Sequence, residues 1–261
     1  MADLRARAKS WLALPTLCVA LPAGAANLPV LDDPSLGSKN RYERCVELAK
    51  RNPGTAIDQA AAWYKDGGGA GALHCEALAL SDLKRYPDAA TKLEAAAHEK
   101  GLTASMRGEL LDQAGNAWLL ARRPDKADAA LSAALSFTPQ DEDTLADRAR
   151  ARGLRKDWSG AEADLSAVLS LDPDRADALV LRASARHAEG RTLDARADID
   201  RALDIDPGYP EALVERGTMK FEASDTAGAR ADWLQVTKDA PGTAASSEAE
   251  ARLKLLEAAK R

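Results

Sequence analysis

Between Leu111 and Val236 the apolar and small residues fall into two bursts that return every 34 residues. Pro139, Pro173, Pro207 and Pro241 mark the period. Counted back 28 places from each Pro stand Leu111, Leu145, Leu179 and Leu213; 24 places back stand Gly115, Ala149, Ala183 and Gly217. The second burst holds Ala127, Ala161, Ala195 and Ala229 at 12 back, Leu131, Leu165, Ile199 and Trp233 at 8, and Ala134, Val168, Ala202 and Val236 at 5. Steps of 3 and 4 within a burst place its members on one helical face, and the gap of 12 between bursts predicts two helices joined by a turn. Each Pro ends the second helix by pushing the residue before it out of the helical region. A fixed period of this length reads as stacked units that bury their faces on one another.

Small residues at Ala149 and Ala161 let two helix backbones approach closely, with Leu145 and Leu165 filling the space beside them. This 34-residue helix-turn-helix with small crossing residues and a closing Pro resembles the tetratricopeptide repeat (TPR) family. The resemblance implies an all-α, right-handed superhelical solenoid of antiparallel helix pairs. The pattern also fits Leu73, Ala77, Ala89, Leu93 and Ala96, and "YERCVELAKRNPGTAIDQAAAWYKDGGG" reads as a degenerate first pair. About six pairs are expected over residues 41–241. Residues 242–261 are read as a C-terminal capping helix, opened by a capping box from Ser247 to Glu250, with Leu253 and Leu256 on one face.

The amino terminus has a different pattern. Arg5, Arg7 and Lys9 precede an apolar run from Trp11 to Pro22 and then Ala23-Gly24-Ala25-Ala26, the order of a secretory signal peptide. The run is short of the roughly 20 residues that span a bilayer. Residues 1–26 are therefore expected to be removed after Ala25 or Ala26, placing the protein in the bacterial periplasm, and residues 27–40 are an extended lead-in. Pro15-Thr16-Leu17 before Cys18 does not fit a lipidation site. The two remaining cysteines, Cys45 and Cys75, are expected to form a disulfide between the opening helices of the first two pairs.

Charge and composition narrow the function. The formal net charge is −5, and removing a segment with three bases and one acid leaves −7, a balance that argues against nucleic-acid binding. His74, His98 and His187 have no second ligand at metal spacing, "DGGGAG" follows a helical segment rather than a strand, and no catalytic motif is present. No cofactor, no metal and no enzyme activity are expected. Arg148, Arg182 and Arg216 each have an Asp 16 residues on, Asp164, Asp198 and Asp232, which predicts an ion pair inside each repeat. Glu109, Asp143, Asp177 and Glu211 are read as first-turn acids favoured by the helix dipole.

Arg152, Arg186 and Lys220 follow the paired arginines by one turn and have no counterpart in the sequence, which makes them candidates for a basic stripe. They stand where the family commonly has Tyr. The resemblance further implies a concave groove lined at 23 and 20 residues before each Pro, by Asn116, Arg150, Ser184 and Thr218 and by Leu119, Gly153, His187 and Phe221. It implies an interaction scaffold for a protein or peptide client. An architectural or self-associating envelope component is the alternative, and a thiol-redox or hydrolytic enzyme a third.

Overall fold

The computed structural model describes residues 39–258, so the expected signal peptide and most of the expected lead-in lie outside the described residues. The described residues form thirteen helices and no strand. They divide into two compact units, residues 39–155 and 156–258. The first holds α1 (Lys39–Arg51), α2 (Pro53–Lys65), α3 (Gly69–Asp82), α4 (Tyr86–Ala97), α5 (Ala104–Leu120), α6 (Pro124–Leu135) and α7 (Glu142–Leu154). The second holds α8 (Trp158–Leu171), α9 (Ala176–Ala188), α10 (Thr192–Ile205), α11 (Pro210–Glu222), α12 (Thr226–Asp239) and α13 (Ala244–Ala258).

Within each unit every helix packs on the next, and alternate helices also touch: α1 on α3 and α5 on α7 in the first, α9 on α11 and α11 on α13 in the second. The registers at 24 and 8 before Pro are the crossing points. A Cβ on Gly115 would stand 2.4 Å from Leu131 Cγ, and one on Gly217 would stand 2.5 Å from Trp233 Nε1. Glycine therefore replaces alanine where the facing side chain is driven against the backbone. Leu93, Leu110 and Leu131 are fully buried in the first unit, and Leu165, Ile199 and Trp233 are buried in the second. An alanine in place of one of these leucines leaves a cavity and costs about 2–5 kcal/mol.

The turns inside the pairs share one device. Lys84, Arg122, Lys156 and Ser224 have φ of 58°, 55°, 64° and 69°, and Gly190 has 79°. At Arg122 the amide of Arg123 reaches the Trp118 carbonyl and that of Arg122 the Leu119 carbonyl, so the left-handed residue lets the helix satisfy its last carbonyls.

Ion pairs take the place of aromatic bulk. Arg182 donates from Nε and Nη2 to both oxygens of Asp198 (3.0 and 2.7 Å), and Arg216 grips Asp232 in the same way (3.0 and 2.8 Å). These are the two predicted pairs that lie inside one unit.

Three sequence expectations need correction. Glu109 is not in a first turn, because Thr103 caps α5 through the Met106 amide (3.2 Å) and starts the helix earlier. Asp143, Asp177 and Glu211 do occupy first turns. There is no capping box at Ser247: the Thr243 hydroxyl accepts from the Ser246 amide (3.1 Å) and α13 has already begun. Arg152, Arg186 and Lys220 are not a free basic stripe. Arg152 donates to Asp128 (3.2 Å), Arg186 to Glu162 (2.7 Å) and Asp198 (2.8 Å), and Lys220 pairs with Asp232 (2.9 Å). Asp128 and Glu162 come from the preceding helix pair, which spacing inside one repeat could not show, whereas Asp198 and Asp232 belong to the same pair and each serve a second base besides the predicted Arg.

Candidate functional site

The two units present different chemistry on the first helices of their pairs. In the first unit, Cys45 of α1 and Cys75 of α3 form a disulfide with a Cα–Cα distance of 6.0 Å. Beside it His74 is fully buried. Burial holds its imidazole down at about 4, against the smaller opposing effect of its hydrogen bond with Gln113. The ring is therefore neutral at pH 7: its Nε2–H donates to Gln113 Oε1 (2.8 Å), and Nδ1 accepts from the Tyr42 hydroxyl (2.6 Å). This chain links α1, α3 and α5. The glycine run beside it is structural, since a Cβ on Gly68 would fall within 2.6 Å of the Trp63 indole.

One helix further along, α5 and α7 bring together a polar cluster. Asn116 is half-buried and its Nδ2 donates to Asp112 Oδ2 (3.4 Å). Across the helix pair, the Thr144 hydroxyl donates to Asp112 Oδ1 (3.0 Å), and Thr144 is itself buried. Asp147 and Arg150, one turn apart on α7, are ion-paired with each other. Burial lifts the Asp112 carboxyl to about 7; Asp147 adds to the shift, the Thr144 hydrogen bond opposes it, and Asp141 and Asp143 contribute further. Among the described residues, no Lys or Arg reaches Asp112.

In the second unit, His187 on α9 lies between two carboxylates of α11. Nδ1 faces Glu215 (2.9 Å) and Nε2 faces Glu222 (2.8 Å). Both nitrogens must donate, so the ring is an imidazolium, and the two acceptors raise it to about 10, Glu215 first. Ser184 is half-buried, while Thr218 is buried with its hydroxyl on the Val214 carbonyl (2.9 Å). Phe221 packs against Trp233 with ring centroids 6.0 Å apart.

Of the residues expected in a groove, Asn116 and Arg150 therefore share one cluster, Leu119 lies in the hydrophobic core of its unit, and Thr218 spends its hydroxyl within its own helix. Asp112, Thr144 and Asp147, which complete the cluster, were not singled out by the sequence. Asp112 sits 27 places before its Pro, where the other repeats have Ala146, Val180 and Val214, so no periodic signal marks it. Among the described residues no group of three or more His, Cys, Asp or Glu could hold a metal, and no helix is long and apolar enough to cross a membrane.

No family model matches the sequence, and no curated protein matches it. Solved structures do. YrrB, described as a TPR protein with an unusual peptide-binding site, is similar at a TM-score of 0.59 and 20% identity, over 70% of this chain and 93% of YrrB. The 41-end portion of MamA from Desulfovibrio magneticus RS-1 is similar at 0.57 and 18% identity, over 65% of this chain and 93% of that one. A further MamA structure gives 0.54 and 17%, over 64% and 92%. With consecutive helix pairs in both units, small residues at their crossings and a 34-residue period, the chain has the tetratricopeptide-repeat fold.

Proposed function

We propose that the chain is an exported scaffold of the bacterial periplasm that holds a protein or peptide client in the groove formed by the first helices of its pairs. One observation carries this reading: α5 and α7 bring the polar cluster of Asp112, Thr144 and Asp147 beside Asn116 and Arg150, two of the residues that the resemblance assigns to the groove. A buried carboxyl that its surroundings raise toward neutrality marks this cluster as a candidate functional site. The peptide-binding site named for YrrB supports the same class of function at the level of the fold. The buried Cys45–Cys75 disulfide supports an oxidising compartment, and with it the export signal read in residues 1–26.

The test is in-cell crosslinking followed by affinity capture from periplasm. One recurring partner, lost on Arg150→Glu and on Asn116→Ala while both variants keep their helical circular dichroism and melting temperature, is the expected result. Crosslinks only between copies of this chain would overturn the client reading in favour of a self-associating envelope component.

A further inference from the structure

The first unit carries its charge unevenly. Short turns join α3 to α4 and α5 to α6, so consecutive helices alternate in direction, and those two turns lie with the last residues of α7 at one end of the unit. The ion pairs of Arg155, just beyond α7, with Asp125 (2.6 Å) and Asp128 of α6 agree with that placement. The turns read Leu83-Lys84-Arg85 and Ala121-Arg122-Arg123, without an acid, and all four bases are exposed. Arg85 is paired with Asp88 (2.7 Å), whereas among the described residues no carboxylate meets Lys84, Arg122 or Arg123.

The excess is local. The connections at the opposite end of the unit hold Asp66, Glu99 and Asp141 against the single base Lys100, and the whole chain has a formal charge of −5. The matching turns of the second unit read Glu189-Gly190-Arg191 and Ala223-Ser224-Asp225, and there Arg191 is paired with Asp194 (2.8 Å). Lys84 and Arg122 stand at φ of 58° and 55°, in the conformation that Gly190 adopts without strain in its own turn at 79°. At the same end Leu83 is 44% exposed, and Leu154, in the last turn of α7, is 41% exposed. Unpaired bases on long apolar stems, with half-exposed leucines at the same end, follow the tips of the helix pairs rather than the walls of a cleft. That chemistry fits a broad surface that is anionic outside and apolar beneath.

We propose that this end of the first unit docks on a lipid bilayer with anionic headgroups, Lys84, Arg122 and Arg123 meeting phosphate oxygens and Leu83 and Leu154 resting against the interface. The groove and its client play no part in this contact.

The experiment is co-sedimentation of the purified full chain with vesicles of phosphatidylglycerol mixed into phosphatidylcholine, and of phosphatidylcholine alone, over rising salt. Binding is expected on the anionic vesicles and should fall as salt rises. A base near such a surface is worth about five-fold in affinity, so Lys84→Gly and Arg122→Gly should each weaken binding about five-fold, and the two together about twenty-five-fold. Both substitutions relieve a left-handed residue, so the variants should melt no lower than the wild type, and weaker binding is then not a folding defect. Lys100→Ala removes the same charge from the opposite end and should leave binding unchanged. Residues 1–26, if retained, are common to every variant, so differences between variants do not arise from them. Equal binding to neutral vesicles, no binding to anionic ones, or a loss on Lys100→Ala as large as that on Arg122→Gly overturns the proposal. So does capture of an acidic protein through Arg122 by a chain that ignores the vesicles.

Discussion

Removing the disulfide should loosen one end of the molecule and leave the rest intact. Cys45 and Cys75 are 30 residues apart in sequence, and closing a loop of that length stabilises the folded state by about 3.5 kcal/mol on the chain-entropy model. The hairpin that benefits, α1 with α2, rests on α3 through Tyr42, Val46, Ala60 and Trp63, around a small core that includes both cysteines. In a stack of repeats, stability is close to a sum of local terms. The loss in a Cys45→Ala/Cys75→Ala double variant should therefore concentrate in α1–α2. There the opening equilibrium should rise by up to about three-hundred-fold. Hydrogen exchange with mass spectrometry on peptides from residues 39–65 reads this directly, and peptides from residues 156–258 serve as the internal control. Unchanged protection in α1–α2, or an equal loss in the control region, would refute the reasoning. So would two alkylatable thiols in the denatured, unreduced wild-type monomer.

The other perturbations act on single contacts. Arg122→Gly and Ser224→Gly relieve left-handed non-glycine residues and should each raise stability by about 1 kcal/mol in urea melts, as Gly190 already does in its own turn. Gly217→Ala drives a methyl into the Trp233 indole and should cost about 1–3 kcal/mol, with a changed tryptophan fluorescence spectrum. His187→Ala should cost the second unit about 1–2 kcal/mol at pH 7, since both acceptors lose a charged donor and Glu222 is partly exposed. The folded imidazole is raised, so its contribution is full below 6.5 and fades as pH climbs; wild type and variant should converge near pH 10.

The fold was legible because it repeats. Leu131, Leu165, Ile199 and Trp233 recur at one offset from Pro, so one helical face could be read four times over. The ion pairs were half legible. Arg182 and Asp198 recur together at a fixed spacing, but Glu162, which holds Arg186, belongs to the preceding helix and shows its role only once that helix is packed. The site was less legible still. Asp112 departs from the apolar residues its counterparts use, and departure from a repeat is invisible to a method that looks for recurrence. His187 was placed by resemblance, yet its two carboxylates, Glu215 and Glu222, lie 28 and 35 residues away on α11, and only side-chain packing brings them to both sides of one ring.

Two groups in the first unit should hide one another's pH dependence. Asp112 is raised from 3.8 to about 7, so between those values the folded chain binds a proton that the unfolded chain has released. Its effect is to make stability fall as pH rises. His74 is lowered from 6.5 to about 4, so between those values the unfolded chain binds a proton that the folded chain refuses, and stability falls as pH drops. The two windows overlap from about 4 to 6.5, and there the slopes oppose each other. Measured against wild type in urea at half-unit steps, Asp112→Asn should gain stability progressively from pH 4 to 7. His74→Gln should show the opposite trend, its disadvantage shrinking or reversing as pH falls from 6.5 toward 4, because the buried ring no longer has to be protonated on unfolding. The double variant should follow the sum of the two difference curves, since the carboxylates common to all four proteins cancel in each difference. Difference curves that stay flat across the window, or that slope the same way for both substitutions, would show that at least one of these groups is not held as its surroundings require.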